Sequence, residues 1–412
     1  MRRSFTYLAL LATHASAAFL APAPHRPRAA AASRCPISMS GRGFTSFTPA
    51  AFTIRRQVGQ LGFTTETEWQ YEGERNPLDP NTPTRTVEAS GVSVRLYEAL
   101  LSDTGERVLL KEFLGSAREI AETEIAVYAQ LYSVAAAREQ PPPPQVGTLL
   151  GELRGGDEIF DAPDFREQWS AALPDVPPPS SGNLWLCFAW EGLATVGQFP
   201  RIKQEREWWD VDGRKANSCR KIFLKVVAAR ALQLLEWLHG AGYAHRSIGP
   251  SSLLLSTYDQ YQPKKLALRA VDLGFCASAS MLSDDEVASA MRRGASSPLA
   301  VLPQLALYDL HALGYVLLEL IVNALRPDPE APGAVEMQGL KRLVEDVFDG
   351  DAKGAFRAYA EQEAGWEEAC ALLAEKEGAG WALLQQLVDC RLPDSAGRIT
   401  SSALLESAWF KD

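Results

Sequence analysis

The most reactive side chains of this sequence fall in three short stretches. "VLLKEF" sets one ammonium, Lys111, among apolar neighbours, and "VDLGF" sets one carboxylate, Asp272, two residues before Gly274. "GYAHRSIGPSSLLLS", residues 242–256, gathers His245, Arg246, Ser247 and Ser252 and contains no acid. An ammonium on a rigid strand offsets anionic charge, phosphate above all. A carboxylate takes a hard cation through oxygen, or simply shapes a turn before glycine. A serine alcohol is already protonated at ordinary pH and does not accept a proton as a carboxylate does. The six cysteines are scattered singly, with no C-x-x-C pair and no ligand cluster, which suits free thiols in a reducing compartment.

Groups of this kind need elements to aim them. "VSVRLYEALL" and "ERVLLKEF" flank the turn signal "SDTG", so a β-hairpin is expected with Lys111 on its second strand. "SAREIAETEIAVYAQLYSVAAA" spaces Ile120, Ile125, Tyr128 and Leu131 as one amphipathic helix carrying Glu119, Glu122 and Glu124. "NLWLCFAW" reads as a buried strand, and from about residue 217 onward the pattern is mostly helical. "CRKIFLKVVAARALQLLEWLHGAG" stops on Gly240 and Gly242. "LALYDLHALGYVLLELIVNAL" is apolar nearly all round, but Asp309, His311 and Glu319 interrupt it, which favours a buried core helix over a membrane span. Two proline-punctuated segments, 66–90 and 141–181, read as inserted loops. Strands first and helices afterwards make an α+β pattern.

The chain has 412 residues, 46% of them hydrophobic, and a net charge of −10, which argues against a broad nucleic-acid face or an anionic-membrane surface. Residues 1–65 nevertheless contain no Asp or Glu. "MRRSFTYLALLATHASAAF" has the basic start, short apolar run and small-residue site of a secretory signal, too short for a membrane anchor. The basic, Ala/Ser/Pro-rich stretch that follows from Phe19 resembles an algal transit peptide, so residues 1–40 are expected to be a bipartite presequence leading to the plastid stroma. An ordinary signal peptide with a spacer is the alternative.

From about Ala51 to Phe410 these landmarks, in this order, resemble the protein kinase superfamily. The resemblance implies a bilobal fold, with a small β-rich lobe over 51–192 carrying the two insertions and a larger helical lobe over 193–412. It implies that Lys111 is the ATP-orienting lysine, with Glu124 as its helix partner and Glu119 and Glu122 as competing registers. Gly59 and Gly62 of "VGQLGFTTETEW" would form the nucleotide-gripping loop. Phe188 would be the gatekeeper, with Ala189 and Glu191 offering backbone groups to adenine, and Asp272 would be the metal carboxylate. Asp309 would prop up the loop at 245–252, and Arg398 would be the late arginine of the family.

The same resemblance exposes what is missing. Ser247 stands where the family's proton-accepting aspartate belongs, Gly249 where its lysine belongs, and Ser252 where its metal-binding asparagine belongs. Losing a positioned base forfeits about 10²–10⁴ in rate, from a kinase norm of about 1–100 per second. No catalytic residue is therefore expected, and Ser247 and Ser252 read as capping residues. The grip on phosphate is eroded by Leu61 and Thr64, and "SSPL" at 296–299 lacks the acid that would pair with Arg398. The expectation is a plastid pseudokinase holding ATP and Mg²⁺ weakly at most, acting through protein partners as regulator or scaffold, with no transmembrane segment in the mature chain. Two alternatives stand beside it: an active but atypical Ser/Thr kinase in which Asp284 or Asp285 replaces the lost base, and a structural subunit that binds no nucleotide. The Trp208–Trp209 pair would suit a partner interface.

Overall fold

The computed structural model describes residues 5–11, 44–48, 51–68, 85–153 and 163–411, the last with breaks at 173, 175–177, 179–181, 193, 203–207, 209, 211–212, 293–294, 328–333, 393–394 and 396–397. Its first part runs β1 (Phe5–Leu11), β2 (Thr45–Phe47), β3 (Phe52–Glu68), β4 (Arg85–Leu101), β5 (Arg107–Phe113), α1 (Arg118–Ala137), β6 (Leu149–Leu153), α2 (Pro163–Ala172) and β7 (Leu184–Ala189). The seven strands form one sheet in the order β1-β3-β4-β5-β7-β6-β2, with β5 in the middle. All pairs are antiparallel except β2 with β6.

Strand β5 explains why the sheet is apolar on both sides. Alternate side chains of a strand point to opposite faces. Leu109, Lys111 and Phe113 face the main core, and Val108, Leu110 and Glu112 face a second one. That second core holds Tyr97, Leu153, Trp169 and Trp185, and the Tyr97 ring lies 5.4 Å from both indoles. The acid on this face, Glu112, is fully buried but bonded to the Tyr97 hydroxyl at 2.9 Å and the Asn183 amide at 2.7 Å. Burial raises the Glu112 carboxyl above its ordinary pKa despite these bonds.

Neither of the two segments expected as inserted loops is loop throughout. Residues 66–68 and 85–90 belong to β3 and β4, which pair outward to Glu68↔Arg85 instead of opening into a loop at 66; 69–84 lie outside the described residues. The segment 141–181 contains β6 and helix α2, because Trp169 and Phe165 are needed to close the outer face of the sheet. Within the expected presequence, the backbone of Phe5–Leu11 pairs with the far end of β3, from Phe5↔Thr67 to Leu11↔Gly62. Residues 12–43 are outside the described set.

The remainder runs β8 (Ala194–Thr195), α3 (Arg214–Gly240), β9 (Tyr243–Ala244), β10 (Leu253–Leu255), β11 (Leu268–Ala270), β12 (Ala277–Ser278), α4 (Asp284–Arg292), α5 (Val301–Ala324), α6 (Met337–Arg342), α7 (Ala355–Ala360), α8 (Glu367–Asp389) and α9 (Ser401–Leu405). Helix α8 is interrupted by non-helical residues from Glu375 to Gly378. Helix α3 ends as its sequence predicts, with Gly242 at φ +84° turning the chain out of the helix.

Among the described residues, one helix, Pro298–Ala324, is long and apolar enough to cross a membrane, and 72% of its apolar window is buried inside the protein. Its polar residues all have partners there. The His311 ring bonds the Val388 carbonyl at 3.0 Å and the Glu345 carboxylate at 2.8 Å. Glu345 also takes Arg391 at 3.2 Å and the Tyr315 hydroxyl at 3.1 Å. Burial opposes the charge on Glu345, but His311, Lys341 and Arg391 win and pull its carboxyl down to about 2. Glu319 accepts the Met337 N–H at 2.8 Å, yet burial pushes its carboxyl up to about 7.

Candidate functional site

The site is built around the middle of the sheet. Gly59, Leu96, Lys111 and Leu186 are successive partners across β3, β4, β5 and β7, so Lys111 starts from the stiffest part of the strand layer. Its side chain is 5% exposed and its Nζ donates to two carboxylates, Glu124 Oε2 at 2.7 Å and Asp272 Oδ1 at 2.6 Å. Burial works against the ammonium, but Asp272 and Glu124 together hold the Lys111 pKa above its ordinary value, so it stays charged.

Three acids compete for the helix partner on sequence alone, and geometry separates them. Glu124 is fully buried on the face of α1 that carries Ile125 and Tyr128. Glu119 and Glu122 are exposed, and Glu122 pairs with Arg118 one turn away at 3.1 Å. Asp272 adopts φ +63°, a left-handed conformation that asparagine and aspartate tolerate better than most residues. It opens the short turn Leu273–Phe275, in which Leu273 is fully buried. Helix α1 sits directly on that turn: a methyl group on Gly274 would lie 2.3 Å from Ile120 Cγ2 and 2.8 Å from its carbonyl oxygen.

The loop 245–252 is held by backbone contacts. Its ends continue into β9, paired with β12, and β10, paired with β11. Asp309, from the buried helix α5, accepts the His245 N–H at 2.6 Å, the Arg246 N–H at 2.7 Å and His239 Nε2 at 3.0 Å. His245 Nε2 meets the Val271 carbonyl at 3.1 Å, and Val271 N–H donates to the Ser252 carbonyl at 2.9 Å. The loop is thereby stitched to the residue preceding Asp272. Burial lowers the His245 pKa, which keeps the ring neutral with its proton on Nε2 facing that carbonyl. Arg246 is at φ +64°, and its guanidinium reaches Glu286 in α4 at 2.9 Å.

Ser247 is half-buried in this loop. The Ser252 hydroxyl accepts the Gly249 N–H and donates to the Gly249 carbonyl, each at 2.9 Å, so it caps its own turn as the sequence suggests. Asp284 and Asp285 are exposed in the first turn of α4; it is Glu286 that faces the loop.

The other residues singled out from the sequence are placed as follows. Gly59 and Gly62 lie inside β3, paired with Leu96 and Val92, with local register shifts on either side. Leu61, between them, is buried in the main core. The Ala189 N–H is already bonded to the Thr148 carbonyl at 2.9 Å. The Glu191 carboxylate is held by Thr148 N at 2.9 Å, Thr148 Oγ1 at 2.8 Å and Arg269 at 3.0 Å. Phe188 is buried with its ring 5.7 Å from that of Tyr128. Leu299 is 89% exposed, and Arg398 is not left without an interaction. Trp208 is 90% exposed, and Trp209 lies outside the described residues.

Sequence reasoning missed Glu286, His239 and the Glu191–Thr148–Arg269 cluster. Only the first had a local signal. "SDDE" is a capping box, and Ser283 and Glu286 bond reciprocally, Ser283 N to Glu286 Oε2 at 2.9 Å and Glu286 N to Ser283 Oγ at 3.2 Å.

A hard divalent cation needs several oxygen ligands in near-octahedral array. The site offers one exposed-edge carboxylate, Asp272, already met by an ammonium, and the Ser252 hydroxyl, already bonded twice. Among the described residues no group of three His, Cys, Asp or Glu is arranged to hold a metal. Asp272 would be the one protein carboxylate for a Mg²⁺ ion, whose remaining ligands would be water and substrate oxygens. A scan of the sequence against protein-family models finds no match, and neither does a search of curated proteins.

Proposed function

We propose that this chain is a pseudokinase: a bilobal protein of protein-kinase type that has given up phosphoryl transfer, keeps a weak adenine-nucleotide site at Lys111, and works as a regulatory or scaffold protein. The observation that carries the reading is the Lys111 ammonium bridging Glu124 and Asp272 at 2.7 and 2.6 Å, beside a loop whose backbone is braced by Asp309. Such bracing of a loop without a reactive group on it is hard to account for by packing alone. Phosphoryl transfer requires positioning and charge neutralisation around the γ-phosphate, with a carboxylate to orient the nucleophile. Ser247 supplies no such carboxylate, Gly249 no cation, and Ser252 only a hydroxyl engaged with the Gly249 backbone. The acid-free N-terminal composition supports delivery to a plastid.

The test is incubation of the purified chain with labelled ATP and a generic protein substrate, alongside ATP-dependent thermal stabilisation. The expected result is a measurable shift in melting temperature at millimolar ATP with no transfer above background. Transfer that Asp272→Ala abolishes would identify an atypical kinase instead. No thermal shift at millimolar ATP would remove the nucleotide and leave a plain scaffold.

A further inference from the structure

We propose that the segment Phe44–Phe47 is a strap that seats helix α1 on the sheet, and that Phe44 is a positioning residue for the Lys111–Glu124 pair, acting through Tyr132. This goes beyond the nucleotide reading and holds whether or not a nucleotide binds. Strand β2 lies along the outer edge of β6, with Thr45 opposite Gly151, Ser46 opposite Glu152 and Phe47 opposite Leu153. Only a glycine admits it there: a methyl group on Gly151 would collide with the Thr45 carbonyl oxygen and lie 2.7 Å from Phe47 Cε2. Neighbouring residues of a strand face opposite ways, so positions 44 and 47 serve different faces of the sheet. Phe47 packs on the second core, its ring 5.1 Å from that of Phe52. Phe44 enters the main core at 4% exposure, its ring 5.4 Å from that of Tyr132.

Tyr132 belongs to α1 and carries the contact inward. Its hydroxyl takes both backbone groups of Leu149 in β6, accepting the N–H at 2.9 Å and donating to the carbonyl at 3.3 Å. Glu124, Tyr128 and Tyr132 recur every fourth residue, so they stack on one face of the helix, and all three are buried. The Tyr128 ring lies 5.8 Å from Tyr132 and 5.7 Å from Phe188. The helix is therefore pinned at two places. Toward its start Ile120 rests on Gly274, and toward its end Tyr132 is held between Phe44 and β6. Glu124 lies between the pins, so its 2.7 Å contact with Lys111 Nζ depends on both. The second pin is the weaker. It comes from a three-residue edge strand paired on one side only, and such strands open at lower cost than the core. Opening it leaves α1 held by the first pin alone and lets Glu124 draw away from Lys111.

The test follows chemical labelling of Lys111 in the full chain, without nucleotide. A lysine held as a buried ammonium reacts with an amine-specific reagent only when its site opens. In the native chain, Lys111 labelling and hydrogen exchange at Thr45–Phe47 are expected to share one shallow dependence on urea, well below the slope for the amides of α8. Lys111 labelling that keeps the slope of α8 overturns the proposal. Phe44→Ala is expected to speed Lys111 labelling about tenfold or more, and Phe44→Leu to stay within about threefold of native. Gly151→Ala is expected to match Phe44→Ala, because it unseats the strap from the sheet edge instead of the core. Thiol labelling of Cys390, buried in the helical part, reports general unfolding and is expected to stay unchanged. Lys111 labelling that is unaltered in Phe44→Ala and Gly151→Ala, or that rises only in step with Cys390, overturns the proposal. Should these variants fail to fold by circular dichroism, the urea comparison in the native chain decides alone.

Discussion

The Lys111 triad and the loop at 245–252 are neighbours tied through Val271, yet they are maintained in opposite ways. In the triad the side chains themselves are the structure: an ammonium and two carboxylates, each from a different element, meet at 2.6–2.7 Å. In the loop the side chains at 247, 249 and 252 are small, and the order comes from the main chain, clamped by Asp309 and by Val271. The difference teaches that a loop can be held in shape through its main chain alone, with little demand on the side chains it carries. Substitutions should therefore be costly at the clamp and cheap on the loop.

The largest effect should come from the clamp. Asp309→Asn turns one of the two acceptors beneath His245 and Arg246 into a donor facing an N–H, and should lower the unfolding free energy by about 3–5 kcal/mol in a urea titration. A cost under about 1 kcal/mol would mean that the loop is shaped by its flanking strands instead.

A buried ionic group outside both regions calibrates the scale. Glu345 has a folded pKa near 2, below its unfolded value, so its stabilisation is present above about pH 4.5 and is lost as the pH falls toward 2. Glu345→Gln should cost up to about 3 kcal/mol at pH 7, with the gap to the native chain closing on acidification. Glu319 runs the other way. Its folded pKa of about 7 lies above the unfolded value, so it removes stability as pH rises from about 4.5 through 7. Glu319→Gln should melt higher than the native chain at pH 8 and the same at pH 4.

On the triad side, Gly274→Ala places a methyl group against Ile120 and should cost about 1–3 kcal/mol through overpacking. On the loop side, Ser252→Ala removes the bonds to Gly249 and should cost about 1 kcal/mol. Ser247→Ala should fall within about 0.5 kcal/mol of the native chain. Thermal melts that rank Ser247→Ala above Gly274→Ala would reverse the comparison.

Lys111, Asp272 and Asp309 each stand in a local pattern, a strand after a hairpin turn, an acid before glycine and an acid in an apolar helix, but it was the ordered resemblance that singled them out as one site. Glu124 came from the resemblance with Glu119 and Glu122 left as competing registers, because three acids share one helix; the burial of Glu124 on α1 is what separates them. The long β3–β4 pairing was not legible, because its two strands are separated by a polar, proline-rich stretch that reads as loop. Helix α2 was missed for a related reason. What fixes it is Trp169 against Tyr97 and Trp185, residues distant in sequence, and its own composition says little. Glu286 was signalled as a helix cap but not as the partner of Arg246, since no local pattern reports a contact across 40 residues.

Helix α2 has a consequence for shorter forms of this polypeptide. A transcript variant or protease clip that deleted 163–172 would look harmless on paper, a trimmed linker between two strands. It would in fact unroof Tyr97, Trp185 and Leu153, turning a sealed aromatic floor into an adhesive one, and the truncated product should precipitate or recruit chaperones while its triad remained intact.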